Sequence, residues 1–96
     1  MGFDWDRTKN QANIRKHRIA FADAVEIFDH CLLEWEQENS DAEYGEVRLN
    51  GIGLMQGFEV FAVYVERGEV IRFISVRQAE NDEREDYYGY CASIWN

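Results

Sequence analysis

Three apolar, β-rich runs follow one another through residues 46–77 with almost nothing between them, and that crowding leaves little choice of fold. They cover about 46–54, 58–66 and 69–77, with Gln56-Gly57 and Arg67-Gly68 at the two connections. An X-Gly pair between such runs is a hairpin signal, because glycine accepts the positive φ of a tight turn. Connections this short join antiparallel neighbours, whereas a parallel pair needs a long crossover. The expected arrangement is therefore a meander. Cys31 to Glu38 reads as a further strand ahead of it, leading into an acidic loop from Gln37 to Gly45. The last run, Val70 to Arg77, is apolar on both faces, which suits a central or well-covered strand.

The flanks read as helices. Asp6 is a natural N-cap for a helix from about Arg7 to His17. Phe21, Ala24, Val25 and Phe28 recur at i, i+3, i+4 and i+7, the stripe of a second short helix. Residues 80–92 form a last helix, with Asn81 or Asp82 near its start. The order α-α-β-β-β-β-α predicts a single α+β domain over residues 1–96, with two N-terminal helices, a four-stranded antiparallel sheet and a C-terminal helix. Helices on one face and one edge would leave the opposite face open for a site.

Charge is strongly segregated along the 96 residues, whose net charge is −9. Residues 1–20 hold five Lys/Arg against two acids, and residues 21–46 hold nine acids with no Lys or Arg. Residues 47–79 return four arginines against three acids, and residues 80–96 one arginine against five acids. A field this acidic repels nucleic acid at long range, so polyanion binding has to come from a local patch. That leaves the first helix and the central strands. No apolar run approaches the ~20 residues that span a bilayer, and no signal peptide opens the chain, so a cytoplasmic protein without a membrane role is expected. Cys31 and Cys91 make neither a disulfide framework nor a zinc spacing, and each is expected to be a small buried hydrophobe.

The candidate site residues come from the two cationic regions. On a helix, Lys9, Asn13, Lys16 and His17 fall within roughly 100° of arc, a surface able to grip a phosphate backbone or an acidic partner. In the simplest hairpin register Arg48 and Arg72 point to one side of the sheet, and Ser75 and Arg77 to the other. Arginines inside apolar strands are costly unless they reach solvent or a partner, and Glu59, Glu66 and Glu69 offer ion pairs as an alternative to a functional role. Neighbouring positive charge lowers the pKa of His17, which favours a neutral imidazole able to act as a base. Glu83 and Tyr87 lie at i and i+4 on the last helix, where Tyr87 either donates to a phosphate or packs on the sheet edge. The acidic loop, with Glu38, Asp41 and Glu43, is solvated or a weak cation site.

A Gly-rich phosphate loop, a zinc spacing, a nucleophile elbow and a pair of catalytic carboxylates are all missing from the sequence. Metal-free RNA cleavage is compatible with what is present. It needs a base for the 2′-hydroxyl, cations for the charged phosphorane and an acid for the leaving oxygen. His17 or Glu66, the arginines, and Tyr87 or a lysine are the groups that fit.

Three blocks of residues resemble the BrnT family, the ribonuclease toxins of a bacterial type II toxin–antitoxin system. The first is Phe3-Asp4-Trp5-Asp6 with Lys9, Asn13, Lys16-His17, Phe21 and Ala24. The second is Val63-Tyr64-Val65-Glu66-Arg67-Gly68 leading to Ile71-Arg72. The third is Ile74-Ser75-Val76-Arg77-Gln78-Ala79 with Glu83-Arg84 and Tyr87. The resemblance implies a RelE-like fold and RNA cleavage with no metal or cofactor. The positions that match the family's polar motifs are Lys9, Asn13, Lys16, His17, Arg48, Glu66, Arg67, Arg72, Ser75, Arg77, Glu83 and Tyr87, and the resemblance does not divide them between RNA and structure. The candidates taken for catalysis are His17, Glu66, Arg72, Arg77 and Tyr87, and for RNA contact Lys9, Asn13, Lys16, Arg48, Arg67 and Ser75. The resemblance also implies neutralisation by a BrnA-like antitoxin with a ribbon-helix-helix part, contact with operator DNA only through that antitoxin, and room for a homodimer within the complex.

Two features depart from the family. The last helix reads Glu80-Asn81-Asp82-Glu83-Arg84-Glu85-Asp86 where the family tends to be basic, and an aromatic-rich tail with Tyr88, Tyr90, Cys91, Ile94 and Trp95 runs past the usual end. They motivate an alternative, a protein-interaction module of the same fold that has lost cleavage. In either reading the acidic belt of residues 34–46 suits a basic antitoxin segment.

Overall fold

The computed structural model of the chain describes residues 1–38 and 46–95. Its elements run β1 (Gly2–Trp5), α1 (Arg7–His17), α2 (Phe21–Ala24) tightening into a 3₁₀ segment (Val25–Asp29), β2 (Leu33–Glu36), β3 (Arg48–Met55), β4 (Phe58–Arg67), β5 (Val70–Gln78) and α3 (Asn81–Trp95). Asp41 and Glu43 of the expected cation loop lie outside the described residues.

The meander forms where the X-Gly pairs place it. Met55 faces Phe58 across a two-residue turn whose central residues, Gln56 and Gly57, both have positive φ (52° and 83°). This turn matches the right-handed twist of the strands it joins. The expected four-stranded antiparallel sheet is corrected to five strands in mixed order, β1-β5-β4-β3-β2. The added strand is β1, parallel to β5 from Gly2↔Val70 to Trp5↔Phe73. Its partner lies far along the chain, so no local pattern reveals the pairing. The expected second helix is also shorter than its stripe, a single α-turn followed by 3₁₀ geometry.

The sheet carries a layer on each face. Phe21, Ala24 and Ile27 from α2 and the 3₁₀ segment are buried against Tyr64, Phe73 and Val76, with Phe3, Trp5 and Phe28 packed around them. Strand β3 has to be thin here: a Cβ on Gly53 would lie 2.7 Å from Ile27 Cβ, and one on Gly51 would lie 2.6 Å from the Tyr64 hydroxyl. On the second face, Tyr87 and Cys91 of α3 cover Ile52 and Ala79, flanked by Leu33, Leu54 and Phe61. The face expected to stand free is thus half covered by α3.

That cover is pinned. Cys31 and Cys91, 60 residues apart in sequence, are disulfide-bonded with their Cα atoms 6.2 Å apart, inside the range such a bond needs. The expectation of two unpaired hydrophobes is corrected accordingly. Two lone cysteines at that separation carry no sign of proximity, and only the seating of α3 beside β2 brings them together.

One irregularity decides which side chains share a face. Val65 pairs with Arg72 and Val63 with Ser75, so β5 spends one more residue than β4 between these pairs. Such a bulge reverses the alternation beyond it. Ser75 and Arg77 therefore point to the same face as Arg48 and Arg72, not to the opposite one.

Candidate nucleic-acid interface

Helix α1 sets one wall of the site. Asp6 caps it by accepting from the Lys9 backbone N–H at 3.0 Å, and Arg18, at φ 62°, ends it by donating its N–H to the Ile14 carbonyl. Arg15, Lys16 and His17 occupy the last turn, where cations complement the helix dipole. Asn13 fixes the helix to the sheet. Its amide donates to the Ile19 and Val76 carbonyls, each at 2.9 Å, and its oxygen accepts from the Val76 N–H at 3.0 Å. It thereby serves β5 as a substitute strand past the end of β1. Asn13 is buried with its amide fully engaged, so the helix surface expected to be continuous is interrupted between Lys9 and the Lys16-His17 pair.

The cations gather around a recess of about 120 Å³ on the second sheet face, lined by Lys9, Glu46, Arg48, Arg67 and Arg72 over Val65 and Ile74. Arg67 grips Glu46 through two hydrogen bonds of 2.6 and 2.8 Å, and Arg72 lies 3.2 Å from the Asp4 carboxylate. Arg67 holds the Glu46 carboxyl below the usual carboxylate range, with Arg72 and Arg48 adding to the pull. Lys9 and Arg48 have no ion pair among the described residues. Four cations against three carboxylates, Glu46, Asp4 and Asp6, leave the recess positive in a molecule that is otherwise acidic.

The other expected site residues are dispersed. Ser75 lies one row from Arg72 on the same face. Arg77 stands further toward α3, bonded to Glu83 through two contacts of 2.8 Å, with its guanidinium carbon 4.3 Å from the centre of the Phe61 ring. Tyr87 is buried beneath α3 and donates its hydroxyl to the Cys31 carbonyl at 2.8 Å, which leaves it no reach to a substrate. Glu66 points to the opposite face, on an apolar cavity of about 490 Å³ that it walls together with Glu34 and Glu69. His17 sits at the other end of α1 from Lys9, beside Gln78 and Phe58. Partial burial, then Lys16 and Arg77, depress its pKa below the ordinary 6.5, so its imidazole is neutral at pH 7. Glu46 and Asp4, which orient Arg67 and Arg72, were not among the residues expected from the sequence. Period-2 alternation would not find them, because each depends on a pairing between distant segments.

Among the described residues no group of three His, Cys, Asp or Glu is placed to hold a metal ion. None of their helices is long and apolar enough to cross a membrane.

A small α+β protein with a cationic recess on a partly open sheet face, set in an acidic chain, carries one local surface of the sign that a polyanion requires. Comparison identifies the kind. Residues 5–83 match the family model of the BrnT ribonuclease toxins of type II toxin–antitoxin systems, and the chain belongs to that family. It is similar in structure to the crystallised BrnT ribonuclease toxin of Brucella abortus, with a TM-score of 0.68 and 30% identity over 84% of this chain and 99% of that one. No curated protein matches the chain. The matched segment contains every recess residue named above except Asp4, and it stops at Glu83, so most of α3 lies beyond it.

Proposed function

We propose that this toxin cleaves single-stranded RNA whose backbone lies in the Lys9, Arg48, Arg67 and Arg72 recess and continues along α1 to His17. The observation that carries the reading is the recess itself, four cations drawn from α1, β3, β4 and β5 onto one face of an acidic protein. Lys9 and His17 are eight residues apart on α1, about 12 Å at 1.5 Å per residue, so a short stretch of backbone reaches both. The scissile phosphate lies at the His17 end. There the neutral imidazole takes the proton of the 2′-hydroxyl, whose oxygen bonds to phosphorus as the P–O5′ bond breaks. Lys16 and Arg77 face the charge that builds on the phosphoryl oxygens, and the departing O5′ takes a proton from Lys16 or water. The recess binds neighbouring phosphates and fixes the register.

We also infer a BrnA-like, ribbon-helix-helix antitoxin as the partner. Its basic segment fits the cavity walled by Glu34, Glu66 and Glu69 on the face away from the recess. Operator DNA is reached only through that partner.

Expression in bacteria tests the toxin reading. The unaltered chain is expected to arrest growth with loss of intact RNA, and Arg72→Ala combined with His17→Ala is expected to relieve the arrest. An unaltered chain that neither slows growth nor degrades RNA would overturn it and favour the non-catalytic module.

A further inference from the structure

Among the described residues, the amide oxygen of Asn50 is a buried side-chain acceptor with no hydrogen-bond partner. Asn50 is 8% exposed, in the middle of β3. It pairs with Trp35 on one side and Val63 on the other, and Val63 pairs with Ser75. These four side chains form one row across the second sheet face. Arg48, two residues earlier on β3, belongs to the adjoining row with Val65 and Arg72. At ~3.3 Å per residue, Asn50 and Arg48 are about 6.6 Å apart along the strand.

A valine in that row would satisfy the strand at lower cost, since a buried acceptor without a donor is unfavourable and β-branched side chains suit an interior strand. The orphan leaves one acceptor unspent in this row, which native interiors rarely do. Its neighbour is the second unusual feature. Trp35 is 40% exposed on the edge strand β2, and its ring is set by an edge-to-face contact with Phe61, centroids 5.7 Å apart. A large aromatic held in place on an open sheet face, beside cations, is a stacking surface for an unpaired base.

We propose that Trp35 and Asn50 form a base-reading subsite for single-stranded RNA, in which one base stacks on the indole, the Asn50 amide bonds its edge and Arg48 holds the adjoining phosphate. The amide carries both an acceptor and donors, and rotation about χ2 presents either to the ligand, so it matches the mixed edge of a base better than a lone charge would. The cations in the next row favour a nucleotide over an apolar peptide as the occupant. This inference rests on the RNA-binding reading above and adds a preference for sequence to it.

Uncleavable 2′-O-methyl octamers of A, C, G and U, with an abasic octamer as control, provide the test at low salt. The unaltered protein is expected to bind base-bearing octamers more tightly than the abasic one and to rank the four bases. Trp35→Ala should weaken the base-bearing octamers roughly tenfold and leave the abasic one unchanged, and Trp35→Phe should keep most of the binding. Asn50→Val should level the ranking while raising the melting temperature. The inference fails if both variants bind and rank the octamers like the unaltered protein. In that case Arg48→Ala and Arg72→Ala still weaken all of them, and RNA binding itself stands. If the unaltered protein binds no octamer, the RNA-binding reading falls with it. Capture of the antitoxin that depends on Trp35, without octamer binding, would assign the row to a protein partner and overturn the inference.

Discussion

Asn13 shows how one polar side chain can be read two ways. Its position beside Lys9 and Lys16 on a helical wheel suits a phosphate contact, yet it folds inward and supplies both a donor and an acceptor to Val76. Asn13→Ala strands those backbone groups, each worth about 1–3 kcal/mol when left unpaired, so urea unfolding should show a loss of roughly 3 kcal/mol. The surroundings of His17 favour its neutral form instead. Burial and the charges of Lys16 and Arg77 keep its folded pKa below 6.5, so the neutral, base-competent form dominates above that value. Cleavage should fall as pH drops through the depressed pKa, and a pH–rate profile of His17→Ala should lack this limb. Glu83 gives a third test. Hydrogen bonds from Arg77 hold its folded pKa below the unfolded value near 4.5, so its contribution is full above that value and is lost as pH falls through the folded one. Glu83→Gln should cost about 1–2 kcal/mol at pH 7 by thermal unfolding, with the difference vanishing in acid.

At the scale of elements, the decisive features are the bulge in β5 and the pinning of α3. The bulge places Ser75 and Arg77 on the face of Arg48 and Arg72, so the four strand arginines share one face instead of dividing between two. The hydrophobic pattern of residues 69–77 did not reveal it, since a run apolar on both faces hides a change of parity. The hairpins were legible because a two-residue turn is a local event. Strand β1 was not, because parallel pairing with β5 depends on contacts made late in the chain. The same holds for Cys31 and Cys91. Their bond closes a loop spanning 60 residues and removes much of the freedom of the unfolded chain. Reduction should lower stability by about 2–4 kcal/mol in denaturant titrations, and Cys91→Ser should lose at least as much in the oxidised protein. An unchanged midpoint after reduction would mean that packing of Tyr87 and Cys91 alone holds α3.

On the scale of the whole molecule, charge separates the two faces. The recess presents Lys9, Arg48, Arg67 and Arg72 on one side, and Glu34, Glu66 and Glu69 wall a cavity on the other. RNA affinity should fall with rising salt, and each of Lys9→Ala, Arg48→Ala and Arg72→Ala should reduce the slope by ~0.7 per lost phosphate contact on a single strand. Changing Glu34, Glu66 and Glu69 together to glutamine should weaken the antitoxin without altering that slope, which separates the two surfaces in one titration series. The sequence by itself determined the hairpins, the capped first helix, the segregation of charge and the family, because turns, caps and composition act within a few residues of their cause. Tertiary structure alone decided which cations meet, that Glu66 and Tyr87 stand away from them, and that Cys31 reaches Cys91. Those outcomes follow from strand register and helix seating, which couple residues tens of positions apart and leave no periodic trace in the chain.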